Sequence, residues 1–75
     1  MEKLTTVINT EFITLVNLLK FEGIIETGGQ IKDLLENQEI KVNGFIVNEK
    51  RKKIYPGDLI HIEDICEIAV EAEEE

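Results

Sequence analysis

Seventy-five residues with a formal charge of −8 make one small domain, with a modest core and little room for an enclosed substrate cavity, which argues against an enzyme. The single cysteine, Cys66, excludes an internal disulfide and a multi-cysteine metal site and suits a reducing compartment. With no signal-peptide pattern at the N-terminus and no apolar run of bilayer length, the expectation is a soluble cytoplasmic protein with no membrane partner.

The chain opens on Leu4–Ile8, where Thr5, Thr6 and Val7 supply the β-branched side chains of a strand. Asn9 and Thr10 are placed to cap a helix, and Glu11 suits its positive end. From Phe12 the apolar residues Phe12, Val16 and Leu19 recur at helical spacing, with Ile13, Leu15 and Leu18 widening the face. This predicts a well-buried helix, with Lys20 near its C-terminus and Gly23 as its stop. Ile24 and Ile25 lead into Thr27-Gly28-Gly29-Gln30. Thr27 and Gln30 have the spacing of a capping box, and the two glycines keep the first turn free of bulk, so that an anion has access to its amides.

Ile31, Leu34 and Leu35 then form one apolar stripe, and Lys32 falls off it. Ile40 and Val42 alternate with Lys41 as a strand, Asn43-Gly44 has the chemistry of a type I′ hairpin turn, and Phe45–Val47 returns. Lys50, Arg51, Lys52 and Lys53 follow as a loop or irregular edge, and Ile54 re-enters the core. Tyr55-Pro56-Gly57-Asp58 is a turn, with Pro56 and Gly57 at its centre and Asp58 closing it. Leu59–Ile62 is a strand. Ile65–Val70 is a second, placed to pair with the N-terminal one because chain ends often meet. Glu71–Glu75 has charge and almost nothing to bury, so a disordered acidic tail over 71–75 is expected behind a single domain over 1–70.

The charge is unevenly spread. Residues 63–75 carry seven acids and no base, whereas residues 1–62 hold nine acids against all eight bases, a net of −1. Local field decides the fate of an anionic ligand, so four consecutive bases point to nucleic acid in spite of the negative total.

These features carry a resemblance. The order Leu18-Leu19-Lys20, Gly23, Thr27-Gly28-Gly29, Lys32, Ile40-Lys41-Val42-Asn43-Gly44, Lys50-Arg51-Lys52-Lys53-Ile54 and Pro56-Gly57-Asp58-Leu59-Ile60 resembles the S-four RNA-binding domain, named after ribosomal small-subunit protein four. No one motif is specific; the order and spacing are. The likeness runs from Phe12 to Ile62 and is nearest to small stand-alone bacterial members with an extra strand at each end. It implies an α+β, alpha-L fold: two helices packed on a small bent, mainly antiparallel sheet. It also implies an RNA surface made by the second helix, its N-terminal turn and the following hairpin with its basic loop. Carried over by position, the contacts are Lys20, Thr27, Gly28, Gly29, Lys32, Lys41 and the run Lys50, Arg51, Lys52 and Lys53.

Thr27 stands where the family more often has serine, and lysine prevails in the loop where it favours arginine. Lysine cannot form a planar fork to phosphate, so attraction to the backbone should dominate. The acidic tail has no clear place in the family pattern. The implied partner is structured RNA, with rRNA first and ribosomal or assembly proteins beside it, in ribosome assembly or rRNA handling. No catalytic residue, cofactor, metal or small-molecule substrate is expected.

The remaining residues read more plainly. His61 alternates with Ile60 and Ile62 and lies on an outer strand face without a second histidine to share a metal. Cys66 reads as a small core residue. Phe45 and Tyr55 have rings that can stack on bases. Tyr55 beside Pro56 reads as turn packing, and so few aromatics argue against a platform for single strands. Two other classes share some features. A β-grasp sulfur carrier has a similar hairpin and Pro-Gly-Asp turn but needs a Gly-Gly end, where this chain has Glu73-Glu74-Glu75. A protein-interaction adaptor would use the acidic tail and a sheet edge.

Overall fold

Alternation of buried and more exposed positions along each strand builds the sheet. In the computed structural model, which describes residues 2–74, its strands are β1 (Glu2–Ile8), β3 (Ile40–Val42), β4 (Phe45–Ile46), β6 (Leu59–Ile62) and β7 (Cys66–Ala72), in the spatial order β1-β7-β6-β3-β4. A separate two-stranded ladder joins β2 (Ile13–Thr14) to β5 (Lys53–Ile54). Two short helices complete an α+β fold: α1 (Leu15–Phe21) and α2 (Ile31–Glu36).

The first and last strands lie side by side as their sequences suggest, but in parallel, from Glu2 opposite Cys66 to Ile8 opposite Ala72. The other pairs are antiparallel, so the sheet is mixed. Ile40, Ile60, Ile62, Ile68 and Val70 point inward and join Leu15, Leu18, Leu19 and Ile31 of the helices in one buried cluster. Each such side chain contributes about 1.5–3 kcal/mol by leaving water. Lys41, His61 and Glu67 stand in a row on the opposite face, with His61 Nδ1 3.5 Å from Glu67 Oε1.

The first helix begins later than its periodicity predicts. Residues Ile13 and Thr14 are extended, because they pair with Ile54 and Lys53. Thr10 does not cap the helix; its hydroxyl donates to the Phe12 carbonyl at 2.9 Å. Thr14 holds the cap position without a side-chain bond. The first helical amides find their acceptors elsewhere: Leu15 N–H donates to the Lys52 carbonyl at 2.8 Å and Val16 N–H to that of Lys50 at 2.9 Å. The helix ends at Gly23 as expected. Gly23 adopts φ +75°, its N–H meets the Lys20 carbonyl and Ile24 N–H meets that of Leu19, which is the Schellman closure.

The expected capping box at Thr27 forms by half. Gln30 Oε1 accepts from the backbone N–H of Thr27 at 3.2 Å and also from that of Glu26. The return arm uses the Thr27 carbonyl, 3.2 Å from Gln30 N, in place of the hydroxyl. Residues 28–30 form a turn, and regular helix starts only at Ile31.

The hairpin and the proline turn match their sequences closely. Asn43 and Gly44 take φ +53° and +87° between the paired Val42 and Phe45, the type I′ geometry. Gly57 takes φ +97°, and Asp58 N–H returns to the Tyr55 carbonyl at 3.0 Å. Asp58 closes the turn through Oδ2, which accepts from Tyr55 N–H at 2.8 Å.

The acidic tail is shorter than expected. Glu71 and Ala72 are the last residues of β7, opposite Val7 and Ile8, and Glu73 N–H donates to the Ile8 carbonyl at 2.8 Å. Glu75, the end of the predicted tail, lies outside the described residues. At the other end of the same strand, Cys66 is 1% exposed. Burial pushes its thiol pKa up, and Glu2 and Glu22 add to that. A thiol that titrates higher in the fold than in the unfolded chain gives stability that is whole at neutral pH. That stability is lost only in alkali, as pH climbs through the folded value. At neutral pH a water-soluble thiol reagent is therefore expected to modify Cys66 only as fast as the protein opens. Reaction at the rate of a free thiol would contradict this packing.

Candidate nucleic-acid interface

The basic run is fastened to the first helix by its backbone. Glu49 to Lys52 make a turn, with Lys52 N–H 3.3 Å from the Glu49 carbonyl. The carbonyls of Lys50 and Lys52 supply the acceptors for the start of α1. Main-chain groups are thus spent on the fold, while the side chains of Lys50 and Arg51 are left exposed.

Those side chains meet two other predicted site residues. Lys20, Gly28, Lys50 and Arg51, together with Val16 and Asn17, line one open depression of about 440 Å³. Gly28 faces across it. A methyl group at Gly28 would lie 3.9 Å from Lys20 Nζ and 3.8 Å from Val16 Cγ2. The ion pairs among the described residues are Lys32–Glu36 and His61–Glu67, so Lys20, Lys50 and Arg51 hold unneutralised charge around the depression. Thr14 contributes a buried hydroxyl without a hydrogen-bond partner to the same wall.

Lys52 and Lys53 lie farther along, at a second depression of about 500 Å³ beside the β3–β4 hairpin. Lys53 Nζ sits 5.0 Å from the centre of the Phe12 ring, a cation–π contact. Lys53 is also a strand residue of β5, where the sequence suggests a loop.

The other predicted residues stand apart. Lys32 is on the exposed side of α2 with its ammonium 4.0 Å from Glu36. Lys41 is on the outward sheet face between Ile46 and His61. Thr27 and Gly29 are exposed but do not line the first depression. Sequence reasoning missed Asn17, which no motif singles out, and Val16, whose apolar spacing assigns it to helix packing. It also missed Asn43 as a tie between distant turns. Asn43 Nδ2 donates to Asp58 Oδ1 at 3.0 Å, and Leu59 N–H donates to Asn43 Oδ1 at 2.9 Å.

Comparison with known proteins identifies the family. The family described as the S4 domain matches residues 6–71. A Bacillus subtilis (strain 168) protein provisionally named for ribosome maturation, RlbA, is 41% identical over 56 residues, covering 75% of this chain and 79% of the relative. An Escherichia coli (strain K12) protein provisionally named as RNA-binding, YbcJ, is 38% identical over 48 residues, covering 64% and 69%.

Proposed function

Since the chain belongs to the S4 domain family, we propose that it is a non-catalytic protein that binds structured RNA, rRNA first, and serves ribosome maturation or rRNA handling. The observation that carries this reading is the single depression shared by Lys20, Gly28, Lys50 and Arg51. Double-helical RNA hides its bases in a deep, narrow groove, so a small protein follows phosphates and 2′-hydroxyls. Three cations spread around a shallow wall suit that task, and the turn at Gly28 leaves the backbone open to an approaching phosphate. The alpha-L arrangement implied by the family is read here as α1, the turn into α2, and the β3–β4 hairpin with its basic loop. Lys52, and Lys53 at the start of β5, extend the surface along the same basic run. Lys32 and Lys41 are assigned flanking roles, reached only by an RNA that wraps beyond the depression. The name of the Bacillus subtilis relative supports a role in ribosome maturation, and that of the Escherichia coli relative supports RNA binding.

A salt titration tests this reading. With about five phosphates neutralised, affinity for a structured rRNA fragment is expected to fall with a log–log slope of roughly −4. Equal, weak binding to every polyanion would count against a specific RNA role.

A further inference from the structure

We infer that the second depression, between the β3–β4 hairpin and the Tyr55–Asp58 turn, receives one unpaired base of the bound RNA against the Phe45 ring, with Lys52 and Lys53 on its phosphates. This rests on the RNA reading above and adds a base-recognition site to it.

Phe45 is the most exposed large apolar residue among those described, at 76%. It follows the tight turn directly and pairs with inward-facing Val42, so its ring is turned to the helix side of the sheet but hangs beyond the core. Tyr55, 42% exposed, forms part of the same depression, and its inner side packs on Phe12 with ring centres 5.9 Å apart. The two aromatic residues come from separate turns, yet one set of bonds fixes them together. Asn43 at the hairpin tip donates to Asp58 Oδ1, and Asp58 Oδ2 accepts from Tyr55 N–H. A pocket held in this way costs little ordering when a ligand enters.

Charge selects the occupant. Lys52 and Lys53 line the depression, while its one acid, Asp58, has both oxygens engaged by the turn. An aromatic ring flanked by cations suits a flat base joined to phosphates, since stacking on aromatics tolerates any base and lysine holds the backbone. The basic run also spans both depressions, Lys50 and Arg51 at one and Lys52 and Lys53 at the other. A duplex held at the first would present an extruded nucleotide to the second. One such pocket is far short of a platform for single strands, consistent with the few aromatics in the chain.

The test compares two RNA hairpins of equal length, one fully paired and one carrying a single bulged 2-aminopurine, with the wild-type protein and with Phe45→Ala and Phe45→Trp. Wild type is expected to bind the bulged RNA about tenfold more tightly and to change the 2-aminopurine fluorescence on binding. Phe45→Ala should lose that preference and the fluorescence change, with binding to the paired RNA and the salt slope unmoved; Phe45→Trp should keep both. Because Phe45 buries little, its removal leaves the fold intact, which an amide NMR spectrum checks. Equal binding of both RNAs by wild type, with the steep salt slope present, would overturn the base site and leave the RNA reading standing. Equal weakening of both RNAs by Phe45→Ala would also overturn it. Absence of salt-dependent binding to either RNA would overturn both.

Discussion

Replacing Lys50 and Arg51 together by glutamate is expected to weaken binding to structured RNA about a hundredfold at moderate salt, and to reduce the log–log salt slope by about two, from near −4 to near −2. Two attractive charges become two repulsive ones at a depression that has only Lys20 as its third cation. The fold should be unaffected. These residues serve α1 through main-chain atoms, the Lys50 carbonyl accepting from Val16 N–H, and a glutamate keeps that carbonyl. Gly28→Glu provides an independent route to the same end. The backbone at Gly28 is not left-handed and the space beside it is open enough for a side chain. A carboxylate there would reach Lys20 and neutralise the depression from within. Thermal melts and filter-binding titrations of both variants check this: lost binding with unchanged melting is the expected pair of results. Unchanged binding in both would remove the depression from the account.

Asn43→Ala is expected to destabilise the fold far more than an ordinary surface substitution does. Asn43 sits at φ +53°, where asparagine is tolerated and alanine is strained by roughly 1 kcal/mol. Its side chain also holds Asp58 and the Leu59 amide, partly exposed bonds that contribute about 0.5–1 kcal/mol each. Together the loss is about 2–3 kcal/mol, a fall in Tm of roughly 10–20 °C for a domain of this size. Asn43→Gly separates the two causes. Glycine relieves the backbone strain but restores neither bond, so it should recover about 1 kcal/mol. If both variants melt with the wild type, the tie between the hairpin and the proline turn is not a stabilising one.

These two variants also mark where the sequence was legible. Asn43-Gly44, Pro56-Gly57 and the Gly23 stop were readable because each is settled by the backbone preferences of one or two residues. The bond from Asn43 to Asp58 was not, since nothing local announces that the two turns meet. The start of α1 was misplaced for a similar reason. Phe12 to Leu19 has helical spacing, but Ile13 and Thr14 find strand partners in Lys53 and Ile54 much later in the chain, and pairing overrides periodicity. Composition likewise assigned Glu71 and Ala72 to the tail, whereas the parallel partners Val7 and Ile8 draw them into β7.

The site was legible in part. Residue type singled out the turn at Gly28 and the run with Lys50 and Arg51, and the family resemblance added Lys20; the fold brings these four candidates together. Alternation already placed Lys41 outward from Ile40 and Val42, but only the sheet order sets it beside His61 and outside both depressions. The exposure of Phe45 depends on how far the hairpin overhangs the core, which the sequence does not encode locally.

Amide NMR mapping with a structured rRNA fragment tests the central claim most directly. The account predicts that the resonances shifting most belong to Val16, Asn17, Lys20, Gly28, Lys50 and Arg51, with the outward sheet row of Lys41, His61 and Glu67 little changed. Shifts concentrated on that outward row or along β1, with the depression silent, would contradict it.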